Sequence, residues 1–219
     1  MSFDLGYAAG ILPELLRGLA VTVEASFAGF ALALLLGLAW ALLRRARSRL
    51  LSGGASLAVE FLRSTPLLVQ LYFLFYLLPH AGVVLAPLAT GILALGLHYS
   101  AYTAEIYRAG IEGVPRGQWE AAVALNLSRG QTFLRVILPQ AIPPIVPALG
   151  NRLVALFKDT PLLAAITVLE VLQRAKLAGA ESFRYLEPLT LAGILFLLLS
   201  LASVRLLRRL EAWSGRAFA

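Results

Sequence analysis

Long apolar runs constrain this chain more than any other feature of its sequence. A membrane-spanning helix needs about 20 mostly apolar residues, because the hydrocarbon core of a bilayer is about 30 Å thick. Five such runs recur along the 219 residues, and the mean hydropathy of +0.80 leaves too little polar surface for a soluble domain of this length. The sequence therefore predicts a single all-α integral membrane domain over residues 1–219, with about five transmembrane helices at 16–43, 55–79, 84–107, 139–158 and 189–207.

Basic residues cluster between the apolar runs in a way that predicts the orientation of the chain. Arginine and lysine are enriched on the cytoplasmic side of membrane proteins. With five spans, an outside N-terminus and a cytoplasmic C-terminus, twelve arginines fall on the cytoplasmic side. A sixth span over the short apolar segment 162–177 would export the last of them, so we expect a partial or re-entrant helix there. The twelve are Arg44, Arg45, Arg47, Arg49, Arg108, Arg116, Arg129, Arg135, Arg205, Arg208, Arg209 and Arg216.

Several classes of function are excluded by composition. The net charge is +7, but no basic face remains once the spans are removed, which argues against nucleic-acid binding. The absence of cysteine excludes disulfides and thiolate metal sites. The two histidines, His80 and His98, lie in different segments and do not predict a metal site. The first 14 residues lack the positive region of a cleaved signal peptide, so the first span is expected to act as its own insertion signal.

The polar segment 112–139 has the features of a helical hairpin between two spans. We expect a short amphipathic helix that ends at Asn126, a residue that tolerates the left-handed conformation, then a second short helix and a new span from Pro139. Such an element suits a groove in a partner protein, although a hairpin that packs under its own membrane domain fits the pattern equally well. The expected apolar surface comprises Val123, Leu127, Phe133 and Val136.

This loop resembles the EAA motif of ABC importer permeases. Glu120, Ala121 and Ala122 stand in register with Leu138 and Pro139, as in that family, while Asn126 replaces its usual glycine and Val136 its usual isoleucine. Both replacements preserve the local physics of the turn and the apolar contact. Further blocks resemble the subfamily for histidine, arginine, glutamine and glutamate, with Ser64 where glycine is usual. These blocks are residues 18–22, 61–70, 100–106, 115–120 and 158–162.

The resemblance implies a type I ABC importer permease fold in the bacterial cytoplasmic (inner) membrane. The coupling residues would be Glu120, Ala121, Ala122 and Asn126, which would contact a separate ATPase dimer. ATP and Mg would bind there and no cofactor would bind this chain, which has no phosphate-binding loop motif. The implied partners are a second permease copy, identical or paralogous, an extracytoplasmic binding protein and a polar amino acid substrate.

Polar residues inside the expected spans are candidates for the substrate pathway, because ionisable groups in a bilayer are costly and usually functional. Pro161 disfavours helix at Thr160 and predicts a break in the fourth span, where free backbone groups are suited to small charged ligands. Our hypothesis places Lys158 at the substrate α-carboxylate and Asp159 at its α-ammonium; an ion lock between spans is the equal alternative. Further candidates are Gln70, expected more as polar contact between helices, and Glu24.

Three alternatives remain at this point. An ABC permease for another small solute, such as methionine or an opine, would share the loop and differ in its cavity. A secondary transporter or channel without an ATPase would show internal hydropathy repeats, and none is visible in the sequence. A membrane scaffold that transports nothing would need neither the loop nor a broken fourth span.

Overall fold

The chain folds entirely into helices in a computed structural model that describes residues 3–217, with side chains described as far as Arg208. The side chains of Arg209 and Arg216, used in the orientation argument, lie outside the described residues. In order, the helices are α1 (Leu5–Leu43), α2 (Arg49–Ser64), α3 (Leu67–Tyr72), α4 (Pro87–Glu112), α5 (Arg116–Ala124), α6 (Arg129–Gln131), α7 (Leu138–Asp159), α8 (Val171–Ser182) and α9 (Leu186–Ala217). Two π-helical turns (Phe73–Leu77 and Thr132–Ile137) and two 3₁₀ helices (Leu78–Ala81 and Thr160–Ile166) join them.

Helices α1 and α4 run in the same direction and form the centre of the fold. Glycines allow their backbones to approach closely: a methyl group at Gly29 would lie 3.0 Å from the Cβ of Leu95, and one at Gly37 would overlap Thr103. The Thr103 hydroxyl donates to the Ala33 carbonyl at 2.8 Å, so a polar group is satisfied inside the helix pair. The pair is therefore a rigid frame, and residues along α4 are held at fixed positions relative to α1.

The second expected span, predicted over 55–79 with a kink at Pro66, is bent far more sharply than a kinked helix. Helix α2 and the segment that follows it meet at an angle of 106°. Pro66 cannot donate a backbone hydrogen bond and forces the preceding Thr65 into an extended conformation (φ −103°, ψ 136°). The side-chain amide of Gln70 then donates to the Leu62 carbonyl at 2.9 Å and to the Thr65 hydroxyl at 2.7 Å. These bonds satisfy groups that the break leaves free and stabilise the bend.

The fourth expected span also begins elsewhere than predicted. A continuous helical run starts at Arg129, with Ser128 and Gln131 forming a reciprocal capping box at its N-terminus. Pro139 therefore lies inside the run instead of starting a new helix. Near Pro161 the α-helix ends at Asp159, but Thr160 keeps helical angles (φ −58°, ψ −29°) and the chain continues as the 3₁₀ helix. The break predicted there is therefore a change of helix type within one continuous run.

The segment predicted as a partial helix over 162–177 consists of two short helices separated by a left-handed turn at Thr167 (φ 62°). Helix α8, the second of them, has 12 residues. At 1.5 Å per residue it is about 18 Å long, too short to cross a bilayer. It packs instead against α1 and α9.

Among the described residues, three helical segments are long and apolar enough to span a membrane (5–43, 129–166 and 186–208), and the bent pair around Thr65 satisfies the same criteria as a fourth. Helix α4 has 26 residues and is about 39 Å long, sufficient to cross, but it is more polar than the others because several of its side chains face the interior. The count of five spans and the outside N-terminus stay predictions.

Candidate substrate pathway and coupling loop

Asp159 is the last residue of α7, directly before the 3₁₀ helix. Its carboxylate accepts a hydrogen bond of 2.7 Å from the hydroxyl of Tyr99 on α4. Tyr99 is buried and Asp159 is half-buried, so the pair joins the end of α7 to the middle of the central helix pair. A carboxylate held by one hydroxyl keeps further acceptor capacity for a ligand.

An aromatic and cationic cluster surrounds this carboxylate. The ring centroids of His98 and Tyr102 lie 5.3 Å apart, and the guanidinium of Arg152 stacks 4.7 Å from the centroid of the Tyr102 ring. The imidazole of His98 is buried, and its Nδ1 has no hydrogen-bond partner among the described residues. Arg152 and Asp159 lie on one face of α7 because they are two helical turns apart, about 10.5 Å along its axis. The guanidinium of Arg63 lies 5.8 Å from the same Tyr102 ring, so two positive groups and one negative group surround these aromatic residues.

Sequence reasoning missed the three aromatic members of this cluster. His98, Tyr99 and Tyr102 recur at three- and four-residue spacing on α4, which places them on one helix face. That spacing was visible in the sequence. The partner face on α7 was not, because it depends on how the two helices pack. The cluster is therefore a tertiary feature assembled from α4 and α7.

The other two residues predicted beside Asp159 are placed differently. Thr160 is fully buried, and its hydroxyl donates to the Phe157 carbonyl at 2.7 Å, which satisfies the end of the helix. Lys158 is exposed and forms no ion pair with any described side chain. Arg152, which stacks on Tyr102 with Arg63 farther from the same ring, is the α7 cation that lies within the cluster, and Lys158 is not.

Neither of the two remaining pathway candidates forms a hydrogen bond with Asp159 in the described part of the chain. The amide of Gln70 is buried at the bend after α2, where its nitrogen makes the bonds described above while its oxygen has no described partner. Glu24 is exposed on α1 and is paired with no cation in the part of the chain that the structure describes. The structure thus brings together Asp159 with residues of α4 and leaves Glu24 outside that group.

The loop over 112–139 presents α5 at the surface. Glu120, Ala121 and Asn126 are exposed, whereas Ala122 is buried and anchors the helix to the domain. Asn126 adopts the left-handed conformation (φ 53°), which confirms the predicted turn. The arrangement leaves the Glu120 face of α5 free for contact with another protein.

The apolar surface predicted on this loop is wrong in its composition. Phe133 and Val136 pack against the buried residues Val114 and Ile137, because the π-helical turn leads into α7 and directs them toward α4. Leu127 is half-buried. Of the four predicted residues only Val123 is exposed, and the large apolar side chains exposed on the loop are Val123, Leu125 and Leu134.

Glu105 joins three helices through ion pairs. Its carboxylate contacts Arg44 at the end of α1, Arg108 on its own helix at 2.7 Å and Arg63 on α2 at 3.7 Å. Arg108 also pairs with Glu112 at 2.5 Å. These contacts lie between the aromatic cluster and the start of the loop, on the helix that connects the two.

Comparisons with known proteins agree with this geometry. Residues 33–214 match the model of the family described as binding-protein-dependent transport system inner membrane component. A probable amino-acid ABC transporter permease of Sinorhizobium fredii is 47% identical over 94% of this chain and 89% of its own length. The L-cystine transport system permease of Bacillus subtilis is 37% identical over 93% and 89%. A solved structure titled as an amino acid ABC transporter with histidines has a TM-score of 0.93 and 32% identity, covering 97% of this chain and 99% of its own.

The matched segment contains α4 with its ion pairs, the exposed α5 and helix α7, which carries Asp159. Together with the extent of these matches, this shows that the chain belongs to the family of inner membrane components of binding-protein-dependent transport systems.

Proposed function

We propose that this chain is the permease subunit of an ATP-driven importer that carries polar amino acids across the bacterial cytoplasmic membrane. The observation that carries the proposal is the cluster of Asp159, Tyr99 and Arg152, which lies inside the membrane domain where α7 changes to a 3₁₀ helix. The names of the relatives, which include amino-acid and L-cystine permeases, support the same class of substrate.

The chemistry of the cluster suits a zwitterion. The carboxylate of Asp159 would bind an ammonium or other cationic group, and the guanidinium of Arg152 would bind a carboxylate, for which its planar donors are well matched. In a site shielded from water such contacts are much stronger than in solution. Before the substrate binds, Asp159 accepts a hydrogen bond from Tyr99 and Arg152 stacks on Tyr102, so both charged groups already have a partner.

The exposed face of α5 would transmit the ATPase cycle. Glu120, Ala121 and Asn126 would contact a separate ATPase subunit, with Ala122 fixing the helix from beneath. A second permease copy and an extracytoplasmic binding protein would complete the transporter. ATP and Mg would bind the ATPase, and this chain would hold no cofactor.

The test is substrate-stimulated ATP hydrolysis in proteoliposomes that contain this chain with the ATPase, permease and binding-protein products of neighbouring genes. We expect Asp159→Asn to abolish uptake and stimulation while assembly is retained. The matched control is Glu181→Gln, an identical chemical change at an exposed position on α8. Normal substrate affinity in the Asp159→Asn transporter would exclude this carboxylate from the site.

The coupling role has its own test in the same preparation. Glu120→Arg is expected to uncouple hydrolysis from the loaded binding protein, whereas Glu181→Arg, the same charge reversal elsewhere, leaves coupling intact. Uptake that persists without any ATPase would instead identify a secondary transporter. Hydrolysis indifferent to residue 120 would make the loop a structural hairpin only.

A further inference from the structure

A cavity lies between the end of α1 and the start of α5, and none of its lining residues belongs to the proposed substrate site. Its volume is about 480 Å³. The lining combines charged and apolar side chains and one indole, contributed by Arg45, Ile111, Glu112, Val114, Arg116 and Trp119. Neither the substrate proposal nor the coupling proposal uses these residues.

The charge of this cavity is positive. Arg45 and Arg116 form no ion pair with any side chain that the structure describes. Glu112, the acidic residue of the lining, is paired with Arg108 at 2.5 Å. Arg116 is also the first residue of α5, so the positive end of that helix dipole adds to the two guanidinium groups. The cavity is therefore suited to an anion.

The position of the cavity identifies the environment of that anion. Since α1 and α4 pack in the same direction, their C-terminal ends lie at the same level, and Arg45 directly follows α1. Exposed leucines flank Arg45 on both sides in sequence: Leu42 and Leu43 end α1, and Leu50 and Leu51 begin α2. Leu50 is 88% exposed, which is costly in water and favourable in lipid. This pattern of leucines around arginine is typical of the boundary between hydrocarbon and headgroups.

We infer that this cavity binds the headgroup of an anionic phospholipid. Arg45 and Arg116 bind the phosphate oxygens, for which paired guanidinium donors are suited. Ile111 and Val114 contact the apolar part of the lipid next to its phosphate, and Trp119 lies at the interface, where an indole is favourable. A bound lipid would join the end of α1 to the first turn of α5 and so hold the exposed loop in a defined orientation. An acidic surface of a soluble partner matches the arginines but not the exposed leucines around them.

The test compares two double variants of the complete transporter purified from membranes that contain phosphatidylglycerol. Arg45→Gln with Arg116→Gln removes both cavity arginines. Arg47→Gln with Arg49→Gln removes the same number of charges close to Arg45; these two arginines are exposed, as Arg45 and Arg116 are, but do not line the cavity. Native mass spectrometry counts the phosphatidylglycerol molecules that remain bound, and titration with this lipid in phosphatidylcholine nanodiscs gives the affinity.

We expect the cavity variant to lose retained lipid and to bind phosphatidylglycerol at least about tenfold more weakly, as the loss of charge-assisted hydrogen bonds implies. The control variant should retain it. Equal losses in both variants would show general surface attraction and overturn the proposal. Displacement of the lipid by millimolar inorganic phosphate would indicate a site for the free anion instead. A cavity variant that keeps its lipid but no longer assembles with the ATPase would assign the cavity to that partner.

Should the double variant fail to assemble at all, Arg45→Lys and Arg116→Lys keep the charge and remove the paired donors. Selective weakening of phosphatidylglycerol binding in these lysine variants supports the site, and unchanged binding contradicts it.

Discussion

Replacing Gly37 by alanine tests whether the close contact between α1 and α4 holds the membrane domain together. The new methyl group would overlap the Thr103 side chain and lie 3.0 Å from the Ser100 carbonyl oxygen. The Ser100 oxygen is a backbone atom and cannot rotate away. The two helices must therefore separate, and the hydrogen bond from Thr103 to the Ala33 carbonyl is strained or lost.

The expected loss of stability in Gly37→Ala is the sum of three contributions. Overpacking a tight interface costs about 1–3 kcal/mol, and loss of one buried hydrogen bond costs about 1 kcal/mol. Alanine returns up to about 1 kcal/mol through its higher helix propensity. We expect a net loss of about 1–3 kcal/mol, which corresponds to a fall in Tm of roughly 2–10 °C for a chain of this size.

The assay is thermal unfolding of the detergent-solubilised protein, followed by loss of the monodisperse peak. The matched control is Gly193→Ala, the same substitution inside α9, where no atom lies within 4 Å of the added methyl group. We expect the control to be unchanged or slightly more stable, since it gains helix propensity without a contact. Equal stability of the two variants would refute the close packing of α1 and α4.

Three further predictions follow from contacts in the structure. Glu105→Gln should lower the free energy of unfolding by about 1–2 kcal/mol, because three partly exposed arginines lose their shared partner. The control Glu60→Gln removes an exposed ion pair of 3.8 Å with Arg63 and should change the free energy little; equal effects of the two variants would contradict the prediction. Burial raises the pKa of Glu170, which lies between candidate spans, to about 7, so its protonated form is favoured in the fold. The free energy of unfolding should therefore fall by up to about 3 kcal/mol as pH rises from about 4.5 through 7. Glu170→Gln should flatten this part of a plot of Tm against pH. Asn126→Ala should lower the free energy of unfolding by about 1 kcal/mol, because alanine is strained at a φ of 53°, and Asn126→Gly should lower it less. A Tm that falls more in the glycine variant would contradict the left-handed turn.

The features that sequence reasoning predicted correctly depend on local signals. Asn126 ends α5 in the left-handed conformation, and Pro161 ends the α-helix at Asp159, because the backbone restrictions of these residues act over one or two positions.

The features that sequence reasoning missed depend on how the helices pack. Pro66 predicted a kink, but the 106° bend also requires Gln70 to reach back to carbonyls before the proline. Phe133 faces the domain because a π-helical turn changes the phase of its helix, and an extra residue in one turn leaves no clear mark in the sequence. Tyr99 meets Asp159 only once α4 and α7 are in contact.

One face of α4 carries a series of contacts that runs from the aromatic cluster to the ion pairs of Glu105. Tyr99 holds the carboxylate of Asp159, Tyr102 lies one turn later under Arg152, and Glu105 follows with its three arginines. Arg63 belongs to both groups, because its guanidinium is 5.8 Å from the Tyr102 ring and 3.7 Å from the Glu105 carboxylate. A shift of α2, which ends one residue after Arg63, would therefore alter the aromatic cluster and the ion pairs together. Since α4 leads directly into α5, a force on the exposed loop acts on the same contacts from the other end, which provides a continuous mechanical route between them.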